Sequence, residues 1–164
     1  TSVLVFGLSA DTTYFVNRIL PRIIDKYVAS GKMKLVVIDY PLTWHDMQVL
    51  AGFRCVPPDK HWDLLQKAVS YNRFAHNLKI DSFMNAPDHV WREMKDYGVS
   101  RETADKCMRN VTIVGHIEAQ RQVVTSTWGT STAPTFIVGD QVLVNPYSDS
   151  PITEAIEGAL KGGK

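Results

Sequence analysis

The chain of 164 residues has no CxxC motif, and its only two cysteines, Cys55 and Cys107, stand far apart. A zinc ribbon is thereby excluded, as is a dithiol redox motif supplied by this chain alone. No apolar run approaches the roughly 18–20 residues that span a bilayer. Neither sign of charge is in excess: 18 basic and 17 acidic residues leave a formal charge of +1. Electrostatics therefore gives no reason to expect nucleic acid or an anionic membrane as a partner. Internal repeats, low-complexity tracts and linkers are also missing. The opening residues 1–6 are too short and uncharged for a signal peptide. They read as a strand that starts abruptly, as it would if leader residues preceded Thr1. Among the five histidines (His45, His61, His76, His89 and His116) no pair has HExxH or other motif spacing. Each is expected to be a surface or hydrogen-bonded residue, and no ligand spacing supports a metal site at His61 or His116.

What is present is a chain 45% hydrophobic and long enough for one substantial core with an inserted subdomain. Residues 3–6 form an unbroken apolar run suited to a buried strand. Gly7-Leu8-Ser9-Ala10-Asp11-Thr12-Thr13 has the small and capping residues of a helix entry. Apolar pairs then recur every four residues (Phe15 and Val16, Ile19 and Leu20, Ile23 and Ile24, Tyr27 and Val28), a broad helical stripe. Pro21 falls inside it and is expected to kink the helix, because it donates no backbone hydrogen bond. Residues 34–40 form a second buried strand, stopped by Pro41. The opening is thus β-α-β with a helix-sized crossover, which predicts parallel strands and a right-handed connection.

The middle reads as helical: residues 44–55; a segment after Pro57-Pro58-Asp59 with Trp62, Leu65 and Val69 on one face; a segment after Asn85-Ala86-Pro87 with Val90, Trp91, Met94 and Tyr97 on one face; and a segment from a Ser100 cap to Arg109. A long helix is predicted over residues 111–128, ended by Gly129. Two runs around the Gly139-Asp140 turn form an antiparallel hairpin. Ser150 and Pro151 open a last helix with Ile152, Ala155, Ile156, Ala159 and Leu160 on its apolar face. Without the helical middle, the order is β-α-β-α-β-β-α, that of thioredoxin.

Two ordered stretches give this pattern a family. The run from Ile19-Leu20-Pro21 through Tyr27-Val28-Ala29-Ser30-Gly31-Lys32 to Asp39-Tyr40-Pro41-Leu42 is similar to the end of the first helix and the next strand in the DsbA family of exported thiol–disulfide oxidoreductases. His45 falls where that family often has a histidine. Trp128-Gly129-Thr130-Ser131-Thr132-Ala133-Pro134-Thr135-Phe136-Ile137-Val138 resembles the family's run around a cis proline. The resemblance implies an α/β thioredoxin-like fold, with residues 1–42 and 111–164 forming the thioredoxin-like domain and residues 43–110 an inserted helical subdomain.

It also implies where the redox site should be. Counting back from Phe15 and Leu20-Pro21 puts the family's CxxC at Ser9-Ala10-Asp11-Thr12, and a two-residue shift would put it at Asp11-Thr12-Thr13-Tyr14. Neither holds a cysteine. A CxxC works at a helix N-terminus because unpaired N–H groups and the helix dipole stabilise a thiolate. Hydroxyls form no disulfide and stay protonated near neutral pH. Capping by Ser9, Asp11 or Thr12 is the plain role for this segment.

By the same resemblance, Ala133, Pro134 and Thr135 form a peptide-binding edge by strand addition, which needs no cysteines. Ala133 is smaller than the Thr or Val common in the family at that position. From the residues alone, Cys55 and Cys107 are either two buried free thiols or one structural disulfide; some family members carry such a pair in the helical domain, which favours the disulfide and an oxidising compartment. Asp39, ending a buried strand, reads as a capping residue, with a functional role as the alternative.

The expected function is a peptide- or protein-binding module in a periplasmic or otherwise exported setting, its dithiol lost and no cofactor needed. The alternatives are enzymes: a protein related to thiol–disulfide oxidoreductases or isomerases, or one like the kappa-class glutathione transferases, with Ser9 holding the thiolate of glutathione.

Overall fold

The computed structural model describes residues 1–70 and 86–162. His76 lies outside the described residues, as does Asn85, which is expected to precede the third middle helix. Strand β1 (Ser2–Phe6) leads into α1, one continuous helix built of four pieces: α-helical Ala10–Tyr14, π-helical Phe15–Ile19, α-helical Leu20–Ile23 and π-helical Ile24–Val28. Then come β2 (Leu35–Asp39), α2 (Trp44–Phe53), α3 (Pro58–Ser70), α4 (Ala86–Met94) with a 3-10 turn over Lys95–Tyr97, α5 (Arg101–Met108), α6 (Val111–Trp128), β3 (Thr135–Val138), β4 (Gln141–Val144) and α7 (Ser150–Gly162).

Pro21 does not break α1: it stands at the start of the α-helical piece Leu20–Ile23, directly after a π-helical turn. The π-helical turn before it lets the Leu20 N–H reach back to the Phe15 carbonyl, an i→i−5 bond that widens the helix where proline removes a donor. The four-residue repeat of apolar pairs fits this. A 3.6-residue helix would rotate such a stripe steadily around its axis, whereas wider turns hold it on one face. Phe15, Ile19, Leu20, Ile23 and Tyr27 are all buried there.

The sheet has the order β2-β1-β3-β4. Strand β1 runs parallel to β2, with Ser2 opposite Leu35 and Phe6 opposite Asp39, and antiparallel to β3, with Leu4 opposite Phe136. Side chains alternate between the two faces. Leu4, Phe6, Phe136 and Val138 share a core with α1 and with Ile152, Ala155 and Ile156 of α7. Val5 and Ile137 point the other way and pack with Tyr40, Ala133 and Val124 of α6. The apolar face predicted for α7 is shorter than expected: Ala159 and Leu160 are exposed.

Each described helix of the middle segment contributes to the first of these cores, through Val49, Leu50 and Phe53 of α2, Leu64 and Leu65 of α3, Val90 and Met94 of α4 and Ala104 of α5. Phe6 of β1 meets Trp62 of α3 edge-on, with ring centroids 6.3 Å apart and planes at 77°. A disulfide joins Cys55, just beyond α2, to Cys107 in α5, with Cα atoms 6.2 Å apart.

Candidate functional site

Strand β1 ends at Phe6, and the chain turns through Gly7 into α1. Ser9 is the N-cap, with extended backbone, and its Oγ accepts the Thr12 N–H at 3.1 Å. The Ser9 and Thr12 hydroxyl oxygens are 3.0 Å apart, and the Ser9 hydroxyl also donates to the Ala133 carbonyl at 3.3 Å. Of the two registers compatible with the sequence, the one at Ser9–Thr12 thus faces the residue before Pro134. Thr12 is fully buried, while Ala10 is exposed. Asp11 lies in the first helical turn, where its charge suits the dipole; its Oδ1 accepts from the Tyr147 hydroxyl at 3.4 Å.

The Ala133–Pro134 peptide bond is cis. The Pro134 carbonyl accepts the Asn145 N–H at 2.9 Å, tying the loop to the end of β4. Thr135 opens β3 and is buried, its hydroxyl donating to the Thr132 carbonyl at 2.7 Å. Gly7 is required here by space. A Cβ at that position would lie 2.8 Å from the Ala133 Cβ and 3.0 Å from the Tyr40 carbonyl oxygen, with Leu42 at 4.0 Å. Gly7, Ala133, Tyr40 and Leu42 therefore meet at one point, so the β2–α2 connection borders the proline loop.

Exposed apolar side chains flank this point. On one side Tyr14 and Tyr147 stack obliquely, with centroids 6.1 Å apart. On the other, Leu42 and Trp44 are 45% and 65% exposed, values high enough to leave both rings and methyls open to a partner. Thr43 caps α2 in a capping box with Asp46, whose Oδ2 accepts the Leu42 and Thr43 N–H groups at 3.1 Å each. Burial pushes the Asp46 carboxyl up, against the lowering pull of those two N–H bonds.

The remaining candidates are dispersed. Asp39 does not act as a cap: it is buried, accepts Arg54 Nε at 2.6 Å, and has His61 Nε2 at 3.7 Å. His61 Nδ1 lies 3.1 Å from the Phe53 carbonyl. His45 is buried in the first turn of α2, and His116 is exposed on α6. The sequence reading did not bring Leu42, Trp44 or the Tyr14–Tyr147 pair to the neighbourhood of Ser9 and Pro134, because no motif links these separate segments.

A β-α-β opening, a β-β-α close and a cis proline facing the first helix start define a thioredoxin fold. The family described as thioredoxin matches residues 13–158, and the chain belongs to that family. The solved structures it resembles are DsbA-like. Wolbachia pipientis alpha-DsbA1 superposes with a TM-score of 0.77 at 16% identity, covering 98% of this chain and 85% of that one. Oxidised BdbD from Bacillus subtilis gives 0.79 at 19% identity, with 98% and 87% covered. A protein-disulfide isomerase from Novosphingobium aromaticivorans gives 0.78 at 17% identity, with 97% and 91% covered. No curated protein matches the sequence. No helix among the described residues is long and apolar enough to cross a membrane.

Proposed function

We propose that this protein is a non-catalytic member of its family that binds an extended peptide or protein segment at the Ala133-Pro134-Thr135 edge, in a periplasmic or otherwise exported compartment. The observation that carries this reading is the pair of hydroxyl oxygens, Ser9 Oγ and Thr12 Oγ1, at the helix start beside Ala133. No sulfur stands there to attack a disulfide. Strand addition uses only main-chain groups. No backbone bond among the described residues engages the Ala133 N–H or carbonyl. The 3.3 Å contact from Ser9 to that carbonyl is long, so a peptide N–H can replace it, while Ser9 keeps its cap bond to Thr12. The Cys55–Cys107 disulfide supports an oxidising setting. In this reading residues 1–42 and 111–164 carry the peptide edge, and residues 43–110 form a helical insert beside it.

A glutathione-dependent enzyme fits less well. The hydroxyl that would hold an external thiolate is directed at Ala133, and the Asp11 carboxylate sits in the same helical turn. The test is an insulin-reduction assay run beside titration with extended peptides. Peptide binding without turnover supports the reading, and robust turnover by the pure protein overturns it.

A further inference from the structure

Beside the start of α1, two exposed phenol rings and a carboxylate meet with only loose bonds between them. The Tyr147 hydroxyl donates to Asp11 Oδ1 at 3.4 Å, and the Tyr14 hydroxyl donates to the Tyr147 carbonyl, also at 3.4 Å. Both distances are long for O–H···O bonds, so a stronger donor can take the place of either hydroxyl. The ring centroids are 6.1 Å apart with the planes tilted by 50°. Tyr14 and Tyr147 are both exposed, which leaves ring surface open to a ligand.

The position of this cluster follows from the contacts of the proline loop. Ser9, two residues before Asp11, donates to the Ala133 carbonyl. Asn145, two residues before Tyr147, donates its N–H to the Pro134 carbonyl. Asp11 and Tyr147 therefore each stand two residues from a group bonded to that loop, on the flank away from Leu42 and Trp44.

The chemistry of the cluster selects by charge. No basic side chain among the described residues pairs with Asp11, whereas Asp149, two residues beyond Tyr147, is held by Arg22 at 3.1 Å. The helix dipole meets part of the Asp11 charge, so the carboxylate alone is a weak site for a cation. The rings supply the rest. An aromatic face carries negative potential and attracts an ammonium or a guanidinium. A guanidinium does better, because it stacks flat on a ring while its forked donors reach a carboxylate. A neutral side chain gains neither attraction, and an acidic one is repelled by both groups.

We propose that Asp11, Tyr14 and Tyr147 form a subsite for one basic side chain of the bound segment, arginine above all. The guanidinium takes Asp11 Oδ1 from the Tyr147 hydroxyl and lies against the Tyr147 ring. This rests on the peptide-binding reading above and adds to it the charge of a residue next to the proline loop. It also gives a task to Asp11, which stands between Ser9 and Thr12 and caps nothing itself.

The probe is a set of fluorescein-labelled peptides of Thr and Val carrying a single Arg, Lys, citrulline or Glu at successive positions. Citrulline keeps the shape of arginine without its charge. At one position the Arg peptide is expected to bind about fivefold tighter than its citrulline counterpart, with Lys between them and Glu weakest. In Asp11→Asn and in Tyr147→Ala the Arg peptide falls to the affinity of the citrulline peptide. Tyr147→Phe keeps the ring and retains most of the preference. The Ala133 amide resonance follows the peptide edge, and the ring resonances of Tyr14 and Tyr147 follow the subsite. If the peptides bind and shift Ala133, but Arg and citrulline bind alike at every position or Asp11→Asn keeps the preference, the subsite is overturned and the peptide edge stands. If no peptide in the set binds, the peptide edge fails and the subsite with it.

Discussion

Ser9 Oγ and Thr12 Oγ1 lie 3.0 Å apart at the start of α1, a spacing that two sulfurs could occupy as a bonded pair with small adjustment. The double variant Ser9→Cys/Thr12→Cys should therefore form a disulfide when treated with oxidised glutathione, which takes up the two electrons. Mass spectrometry of the tryptic peptide would show the loss of two hydrogens. The helix N-terminus should also lower the pKa of the first thiol. The double variant Asp11→Cys/Tyr14→Cys is expected not to close. If it closes while Ser9→Cys/Thr12→Cys does not, the family's dithiol position corresponds to residues 11–14 and not to residues 9–12.

Replacing both members of the disulfide, Cys55→Ser with Cys107→Ser, should lower stability. The bridge closes a loop across a sequence separation of 52, worth about 4 kcal/mol on the chain-entropy model. Urea denaturation of the variant beside the parent measures this. The parent should also show no free thiol under denaturing conditions until reductant is added.

Asp46 gives a pH signature. Its folded carboxyl titrates above the ordinary 3.8 because it is buried. Between 3.8 and that higher value the native state binds more protons than the unfolded one, so this residue makes stability fall as pH rises through the window. Asp46→Asn keeps an acceptor for the Leu42 and Thr43 N–H groups and should flatten that dependence at little cost. Asp46→Ala loses the capping box and should cost about 1–2 kcal/mol. Thermal unfolding of the three proteins across acidic pH separates the effects. If Asp46→Asn is as damaging as Asp46→Ala, the carboxylate charge itself is needed.

Gly7→Ala should be destabilising by about 1–3 kcal/mol, as overpacking generally is. The added Cβ has only the Ala133 side chain and the Tyr40 carbonyl to push against, at 2.8 and 3.0 Å. Because both neighbours shape the proline loop, peptide affinity should fall as well. Unchanged melting and binding would show that the loop yields freely.

The fold was legible because its signals are local. The apolar run of β1, the Gly139 turn between β3 and β4 and the Ser100 and Gly129 helix boundaries each follow from a few adjacent residues. Counting along a single helix against the family's pattern leaves two registers, Ser9–Thr12 and Asp11–Tyr14, and only the contact of Ser9 with Ala133 distinguishes the first; Pro134 is marked by its run of neighbours. The close packing around Gly7 was not legible, since Tyr40, Leu42 and Ala133 come from separate parts of the chain and each reads alone as an ordinary surface or packing residue. The π-helical turns of α1 were not read from the four-residue stripe, because over two turns the drift of a plain α-helix is too small to separate the two; the backbone bonds distinguish them. The role of Asp39 depended on Arg54, which is distant in sequence and gave no motif.

The core that unites the sheet with α2 through α5 has a mechanical consequence. Trp44 and Met47 belong to a helix whose inner side, through Val49, Leu50 and Phe53, is embedded in the same packing as β1 and α1. To swing that helix away from α6, the molecule would have to tear its own interior. The start of α2 is therefore anchored to the same interior as β1 and α1, and its position is fixed by that shared packing.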